Sequence, residues 1–295
     1  MIVVTGATGN VGGEVVAALS ARGQQVRAVV RDPQRATVPA GVEVVQGDLE
    51  LPESLTPSLA GAGGVFLLGG WGDMTGLMRR IADAGVRHVV LLSSRCVIGG
   101  RADNPITHMW LDSEAAVRDS GIDWTILRPS SFHANALRWL PQLRERDLVQ
   151  APWPQVAVAS IDPADIAAVA ARALTEPGHE RTDLALSGPE ALTPGQQVAI
   201  LADVLERRLR YEPLSDEAAR TRMATDTPAP LIEAFFRFYS DGEFDDSKVL
   251  DTVERITGRP PRTFADWARA HAQAFVTRRQ ARDQGDDGTA LDDRR

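Results

Sequence analysis

Cysteine is almost absent from this chain of 295 residues, in which Cys96 is the only one. A single thiol forms neither an internal disulfide nor a metal–thiolate cluster, and we predict no metal site. The sequence also lacks an apolar run of the roughly 18 residues that a membrane-spanning helix needs. It begins MIVVTG, without the basic segment that opens a signal peptide. These absences predict a cytoplasmic protein that does not insert into membranes.

Basic side chains are fewer than acidic ones, 32 against 40, which gives a formal net charge of −8. That sign opposes the phosphate backbone of nucleic acids, so we expect no direct nucleic-acid binding. The hydrophobic fraction of 43% is typical of a soluble globular chain, and the length fits one or two domains. The last stretch, 278–295, is charged and nearly free of bulky apolar side chains, which predicts a disordered tail.

Six short apolar runs alternate with helical patterns in the first two-thirds of the chain. Each run is nearly continuous rather than alternating, as expected of strands buried on both faces of a parallel sheet. The runs are IVV (2–4), VRAVV (26–30), VEVV (42–45), VFLL (65–68), HVVLLS (88–93) and WTIL (124–127). This alternation predicts an α/β fold over residues 1–190, a doubly wound parallel sheet of the Rossmann type.

Helical patterns dominate from residue 191 to residue 277. Thr193 and Gln196 have the spacing of a capping box, with Pro194 at the first helical position. Further helical patterns cover 215–224, 229–240 and 247–257, and a last helix begins at Thr263 and carries Phe264, Trp267 and Phe275. We predict a small, mostly helical C-terminal lobe that covers the carboxyl ends of the strands, where open α/β sheets bind ligands.

Three glycines follow the first strand in the pattern GxxGxxG. Gly6 permits a tight turn, Gly9 lets the backbone approach a pyrophosphate, and Gly12 allows close packing of helix on sheet. A glycine-rich turn without a ligand is the alternative, but strand, turn and amphipathic helix come in the order that dinucleotide binding requires. We therefore predict cofactor contacts from these glycines and from Thr8, Asn10 and Val11.

The second strand ends at Arg31-Asp32, where the residue type separates NADP from NAD. An acidic residue there binds the ribose 2′-hydroxyl, whereas an arginine binds a 2′-phosphate through its planar fork. Arg31 favours NADP(H); in the alternative, Arg31 is a solvated loop residue and Asp32 serves NAD. Asp48 is placed either to meet the adenine amine or only to form a turn. The other predicted cofactor contacts lie at or beyond the ends of later strands: Leu49, Leu68, Gly69, Ser93 and Pro129.

These motifs resemble the NmrA-like branch of the atypical short-chain dehydrogenases/reductases. The resemblance runs from residue 1 to about 277 through TGATGNVG, VVRDP, QGDL, LLSS, SGIDWTILRPSSFHAN (120–135), SIDPADIAAVAARAL (160–174) and LSGPEALTP (186–194). It implies a Rossmann core, NADP(H) more often than NAD(H), and a small C-terminal substrate lobe. The family includes quinone reductases, reductases of aromatic compounds and non-catalytic sensors of the NADPH/NADP ratio.

The usual chemistry of these relatives needs a serine on a strand and a Tyr–Lys pair on the next helix. Ser94 matches the serine, and Glu114 resembles the glutamate that follows the lysine. Counting back along the chain from Glu114 places Trp110 at the lysine position and Ile106 at the tyrosine position. We therefore expect the Tyr–Lys pair to be absent, because the only two tyrosines, Tyr211 and Tyr239, lie in the predicted C-terminal lobe.

Without that pair, Ser94 and His133 are the only candidate proton donors, and both are weak. His133 follows the strand end at Pro129, where relatives place nicotinamide and substrate contacts; an exposed loop histidine without a role is the alternative. Trp110, Phe132 and Trp153 offer flat walls to an aromatic acceptor, or else pack in the core. The predicted substrate contacts are Trp110, Phe132 and His133.

An acceptor that delocalises the added electron pair needs positioning more than it needs an acid. The leading hypothesis is therefore an NADPH-dependent reductase of a small conjugated or aromatic acceptor, such as a quinone. A non-catalytic NADP(H) sensor and a biosynthetic tailoring reductase or epimerase are the alternatives. The sequence leaves the oligomeric state open.

Overall fold

The computed structural model describes residues 1–275, so the expectation of a disordered tail at 278–295 falls outside the described residues. Nine strands are present: β1 (Ile2–Val4), β2 (Val26–Val30), β3 (Glu43–Gln46), β4 (Gly64–Leu68), β5 (His88–Leu92), β6 (Asp123–Pro129), β7 (Leu148–Ala151), β8 (Thr182–Leu186) and β9 (Arg210–Pro213). Seven of them form one parallel sheet in the order β3-β2-β1-β4-β5-β6-β8, and β7 pairs with β9. The predicted doubly wound Rossmann fold is confirmed.

The helices of the described chain are α1 (Asn10–Ala21), α2 (Thr56–Leu59), α3 (Met74–Asp83), α4 (Cys96–Gly99), α5 (Pro105–Arg118), α6 (Leu140–Glu145), α7 (Pro163–Thr175), α8 (Pro194–Leu205), α9 (Asp216–Met223), α10 (Ala229–Tyr239), α11 (Thr252–Thr257) and α12 (Phe264–Ala270). The 3₁₀ turns are Pro33–Arg35, Pro52–Leu55, His133–Trp139 and Ala272–Phe275. Among residues 1–275, no helix is long and apolar enough to cross a membrane.

Two hydrophobic cores lie on opposite faces of the large sheet. Helices α1 and α7 pack on one face, where Val15, Leu19 and Ile166 are fully buried. Helix α3 and the buried face of α5 cover the other, through Leu77, Ile81 and others. These helices carry apolar residues three and four positions apart, which gives each helix one buried stripe.

All six predicted runs are strands, with ends that shift by at most two residues. Strands β7, β8 and β9 are not among the predictions. The sequence of β9, RYEP, is mostly polar, and it forms a strand because β7 lies alongside it. Such a pairing depends on tertiary contact rather than on local pattern.

The lobe beyond the large sheet has a core of its own, in which Phe264, Trp267 and Phe275 are buried. The capping box of Thr193 and Gln196 forms as predicted. Ala134, Leu143 and Val149, which precede the proposed domain boundary near residue 190, pack into the same core, together with others such as Leu201. The boundary itself stays a prediction.

Two helix predictions in this lobe need correction. Only Thr252–Thr257 of the predicted 247–257 segment is helical, because the Ser247 hydroxyl and N–H both donate to Asp245 and hold the preceding chain in a local turn. Phe275 lies in a 3₁₀ turn, since α12 ends at Ala270.

Candidate functional site

The glycine turn after β1 disfavours a side chain at two positions, at Gly6 because of its backbone conformation and at Gly12 because of lack of space. Gly6 has φ +61°, in the left-handed region that favours glycine. A Cβ at Gly12 would lie 2.6 Å from the Gly6 carbonyl carbon, well inside van der Waals contact. The Thr5 hydroxyl ties this turn to β4, because it donates to the Phe66 carbonyl and accepts from the Leu68 N–H.

The first turn of α1 is open to an anion. Thr8, Gly9 and Asn10 are exposed, and in the described structure no side-chain oxygen caps the helix at Gly9. The N–H groups that begin a helix are then free, and the helix dipole adds positive potential there. Val11 and Gly12 are buried behind them. This arrangement fits a pyrophosphate. The cofactor contacts predicted at this turn are Gly6, Thr8, Gly9, Asn10, Val11 and Gly12.

The end of β2 presents an exposed cation, Arg31, beside an exposed carboxylate, Asp32, that caps the following turn. Arg31 is exposed, and no acidic side chain within 1–275 pairs with its guanidinium. The Asp32 carboxylate accepts from the Gln34 N–H at 3.1 Å and caps the following 3₁₀ turn. Asp48 accepts the Glu50 N–H at 3.0 Å, so it forms the turn that was its alternative role, and its adenine contact stays a prediction. Leu49 beside it is buried.

Replacing Arg31 tests the predicted cofactor preference. We expect NADPH to bind at least about tenfold tighter than NADH, or about 1.4 kcal/mol. Arg31→Ala should remove most of that difference by weakening NADPH alone, because only NADPH carries the 2′-phosphate. Titration calorimetry with both cofactors measures it. Arg22→Ala removes an equal charge at the far end of α1 and should change neither affinity. Equal wild-type affinities would contradict the role of Arg31.

A cleft of about 500 Å³ opens at the carboxyl ends of the central strands. It brings together six of the predicted site residues: Leu68, Ser93, Ser94, Trp110, Pro129 and Phe132. Gly69 lies beneath Trp110, since a Cβ at Gly69 would be 3.1 Å from the indole ring. The position matches the crevice at which open α/β sheets bind their ligands.

Ser93 is held by a buried ionic network. Its hydroxyl donates to Glu114 at 2.7 Å, and Glu114 also accepts from Arg118 at 2.8 Å and from Arg128 at 2.6 Å. Burial alone would raise the pKa of Glu114, but hydrogen bonds from Arg128, Arg118 and Ser93 outweigh it and hold the pKa below the usual value. The Ser93 hydroxyl therefore fixes β5 against α5. Ser94 is half-buried and lines the cleft.

His133 does not lie where the sequence analysis expects it. Its side chain is buried, with Nδ1 2.9 Å from the Ser160 hydroxyl and its ring edge-on to Phe264. Burial lowers its pKa to about 4, so the imidazole is neutral near pH 7. It is absent from the lining of the cleft. The structure thus contradicts the exposed loop histidine, because Phe264 packs against this buried side chain. The catalytic or substrate contact of His133 stays a prediction.

Tyr239, which the sequence analysis does not include in the site, lines the cleft from the end of α10. Its hydroxyl is 3.5 Å from the Ser131 hydroxyl. Burial, helped by the charge of Asp246, raises the pKa of Tyr239 to about 12. Trp153 packs against the Tyr239 ring at 4.8 Å and lines a smaller neighbouring pocket of about 160 Å³, not the cleft itself. Tyr239 is therefore a further hydroxyl at the cleft, and the assignment of Ser94 and His133 as proton donors stays a prediction.

Asp246 is a second lining residue absent from the predictions. Its buried carboxylate accepts the Ser131 N–H at 3.1 Å and lies 3.5 Å from the guanidinium of Arg95. Burial raises the pKa of Asp246, although Ser131 and Arg95 oppose the rise. Arg95 also donates to the carbonyl of Lys248, so the pair fastens the segment around Asp246 against the strand ends.

The remaining wall of the cleft is apolar and comes mainly from α10. Leu231, Phe235 and Phe238 of α10 line it together with Trp110 and Ile106 of α5. The amphipathic pattern at 229–240 predicts helix α10 but does not show that this helix borders the cleft.

The comparison with protein families accounts for this architecture. A family model described as NAD(P)H-binding matches residues 6–177, which include the glycine turn and the strand ends of the cleft. The chain belongs to the NAD(P)H-binding family. The resemblance to the NmrA-like branch is confirmed, and the nicotinamide dinucleotide is the cofactor of its Rossmann domain.

Several relatives of this NAD(P)H-binding chain are reductases. The (4-alkanoyl-5-oxo-2,5-dihydrofuran-3-yl)methyl phosphate reductase of Streptomyces griseus is 44% identical over 282 residues, covering 94% of this chain and 99% of the relative. The NAD(P)H azoreductase of Xenophilus azovorans is 37% identical over 286 residues, covering 93% and 99%. The NADPH complex of a quinone oxidoreductase from Escherichia coli superposes with a TM-score of 0.75 at 26% identity, covering 92% and 100%.

Proposed function

We propose that this chain is an NADPH-dependent reductase of small conjugated acceptors. The observation that carries the proposal is the cleft of about 500 Å³, in which the strand ends meet an apolar wall. Such a site buries a flat, unsaturated molecule against the edge where a Rossmann domain holds its nicotinamide. The names of its relatives agree, since they specify an unsaturated furanone, an azo compound and a quinone as acceptors.

The bound cofactor supplies a hydride, and the side chains of the cleft position the acceptor that receives it. Trp110 lies over Gly69, at the end of β4, and presents its ring to the cleft. Phe132 and the apolar face of α10 exclude water from the other sides. Positioning of this kind supports hydride transfer when the acceptor itself spreads the negative charge.

Tyr239 holds a proton at the hydroxyl that borders the cleft. With its pKa raised to about 12, this hydroxyl stays protonated near neutral pH and donates a hydrogen bond to an acceptor oxygen. It is a weak acid, because burial and the charge of Asp246 raise its pKa. The single lysine of the sequence, Lys248, lies beyond α10 and not at the position of the family's catalytic lysine. A simple ketone, which develops a full alkoxide, gains little from such a donor.

A screen of NADPH oxidation against four acceptor classes tests the proposal. We expect quinones, conjugated enones and azo dyes to be reduced, and unconjugated ketones to react at least about a hundredfold more slowly, because they need a stronger acid. Reduction of simple ketones at comparable rates would contradict the role assigned to conjugation. Binding of NADPH without reduction of any acceptor would favour the non-catalytic sensor instead.

Two cleft variants separate positioning from acid catalysis. Trp110→Ala should lower kcat/KM at least about tenfold, because the acceptor loses the flat surface that aligns it. Ser94→Ala should change kcat/KM by no more than about threefold, since a serine hydroxyl of high pKa is a poor acid. Steady-state kinetics with one quinone and one enone measure both. Loss of turnover in Ser94→Ala with normal turnover in Trp110→Ala would reverse the assignment.

A further inference from the structure

One cation in the lining of the cleft has no acidic partner. Arg138 lies in the 3₁₀ turn His133–Trp139 at the exposed side of the cleft, and within residues 1–275 no carboxylate pairs with it. The other charged lining residue, Asp246, is already paired with Arg95. Among residues 1–275 the lining of the cleft therefore has one cation without an acidic partner, in a chain whose formal net charge is −8.

The lining of the cleft contains both polar and apolar side chains. Ser131 and Asn135 line the same region, and Tyr239 lies within electrostatic reach. Burial raises the pKa of Tyr239, while the Arg138 guanidinium acts in the opposite direction. Leu68, Leu92 and Trp110 form the end nearest the strands. A ligand with one charged end and one flat apolar end can pair its charge with Arg138 while its flat end meets the apolar lining at the strand ends.

We propose that Arg138 forms an anion subsite, which selects acceptors carrying a phosphate monoester and directs their conjugated end toward the strand ends. The inference rests on the proposed function, since it names the class of acceptor that the same cleft takes. The planar guanidinium fork matches a phosphate in a bidentate way, and a pair of charge-assisted hydrogen bonds is stronger than neutral ones. An exposed side chain of this kind is free to reorient onto the ligand.

The test compares one conjugated enone as its free alcohol and as its phosphate monoester, with the full chain and NADPH. We expect wild-type kcat/KM to favour the phosphate at least about tenfold, the strength of one good charge-assisted contact. Arg138→Ala should reduce that ratio to about two or less, and Arg138→Lys should retain part of it. Because exposed charges are screened by salt, the ratio should also fall as ionic strength rises.

Arg144→Ala is the matched control. Arg144 is an exposed arginine of α6 that does not line the cleft, so its removal should leave the phosphate preference intact. A wild-type ratio near one, or a ratio that survives in Arg138→Ala, would overturn the anion subsite.

Failure of the inference and failure of the proposed function give different results. Equal turnover of both compounds would support the proposed reductase and contradict the anion subsite. If neither compound is reduced, titration of the NADP⁺-bound protein by tryptophan fluorescence still compares their affinities. Phosphate-selective binding that depends on Arg138 then supports the subsite without the reductase, whereas equal affinities refute it.

Discussion

Gly12→Ala is expected to abolish measurable NADPH binding and to destabilise the protein. The added Cβ would lie 2.6 Å from the Gly6 carbonyl carbon and 3.0 Å from the Thr5 carbonyl oxygen. Both neighbours are backbone atoms, so relief requires α1 to move away from the glycine turn. That movement displaces the free N–H groups that the pyrophosphate needs, and we expect an affinity loss of at least about a hundredfold.

Gly13→Ala provides the control for this variant. Gly13 is the next residue of the same helix, but a Cβ there would be 3.5 Å from its nearest neighbour, the Ala7 carbonyl oxygen, an ordinary contact distance. Alanine also suits a helix better than glycine. Titration calorimetry and thermal unfolding should therefore show Gly13→Ala close to the wild type. Equal damage in both variants would show that the glycine turn is not under the steric constraint described.

Glu114→Gln should cost about 3–5 kcal/mol of unfolding free energy, because it leaves two arginines around a buried neutral group. Glu114 is almost fully buried and accepts from Arg118, Arg128 and Ser93. Asp183→Asn is the matched control: Asp183 pairs with the same two arginines, but its side chain is one-third exposed. We expect it to cost about 1 kcal/mol or less. Urea unfolding at pH 7 measures both, and similar losses would contradict the special role of burial.

The same network sets a pH dependence. Since the pKa of Glu114 is lower in the folded protein than in the unfolded chain, its contribution to stability is fully present above the unfolded value near 4.5. That contribution is lost as the pH falls through the folded pKa. The stability difference between the wild type and Glu114→Gln should therefore shrink as unfolding is measured below pH 4.5. If the stability difference between the wild type and Glu114→Gln instead grew as the pH fell, the pKa of Glu114 would be higher in the folded protein than in the unfolded chain.

The glycine turn of the cofactor site could be predicted from a local pattern because its parts are close in sequence. The turn at Gly6, Gly9 and Gly12 joins one strand to one helix, and its function depends on backbone space that only glycine leaves. The role predicted for Arg31 likewise depends only on its position at the end of a single strand. The hydroxyl of Ser93, by contrast, points into an ionic network whose arginines come from two different elements, and no local pattern shows that.

The substrate half depends on contacts between distant segments. Tyr239 comes to the cleft at the end of a helix more than a hundred residues beyond Trp110, and Asp246 follows it on a segment fastened by Arg95. His133, only one residue from Phe132, is removed from the cleft because Phe264 and Trp267 pack around it. Sequence spacing alone does not show which of two neighbouring residues lines the cleft, because adjacent side chains in an irregular loop face different surroundings.

The Rossmann fold, the glycine turn and the cation at the end of β2 could be predicted without the structure, because each depends on the period, size or charge of residues that are neighbours in the chain. Which side chains line the cleft, by contrast, depends on the tertiary structure. Long-range packing selected Tyr239, Asp246 and Arg138 and buried His133, since the position of the C-terminal lobe over the strand ends is the sum of many nonlocal contacts.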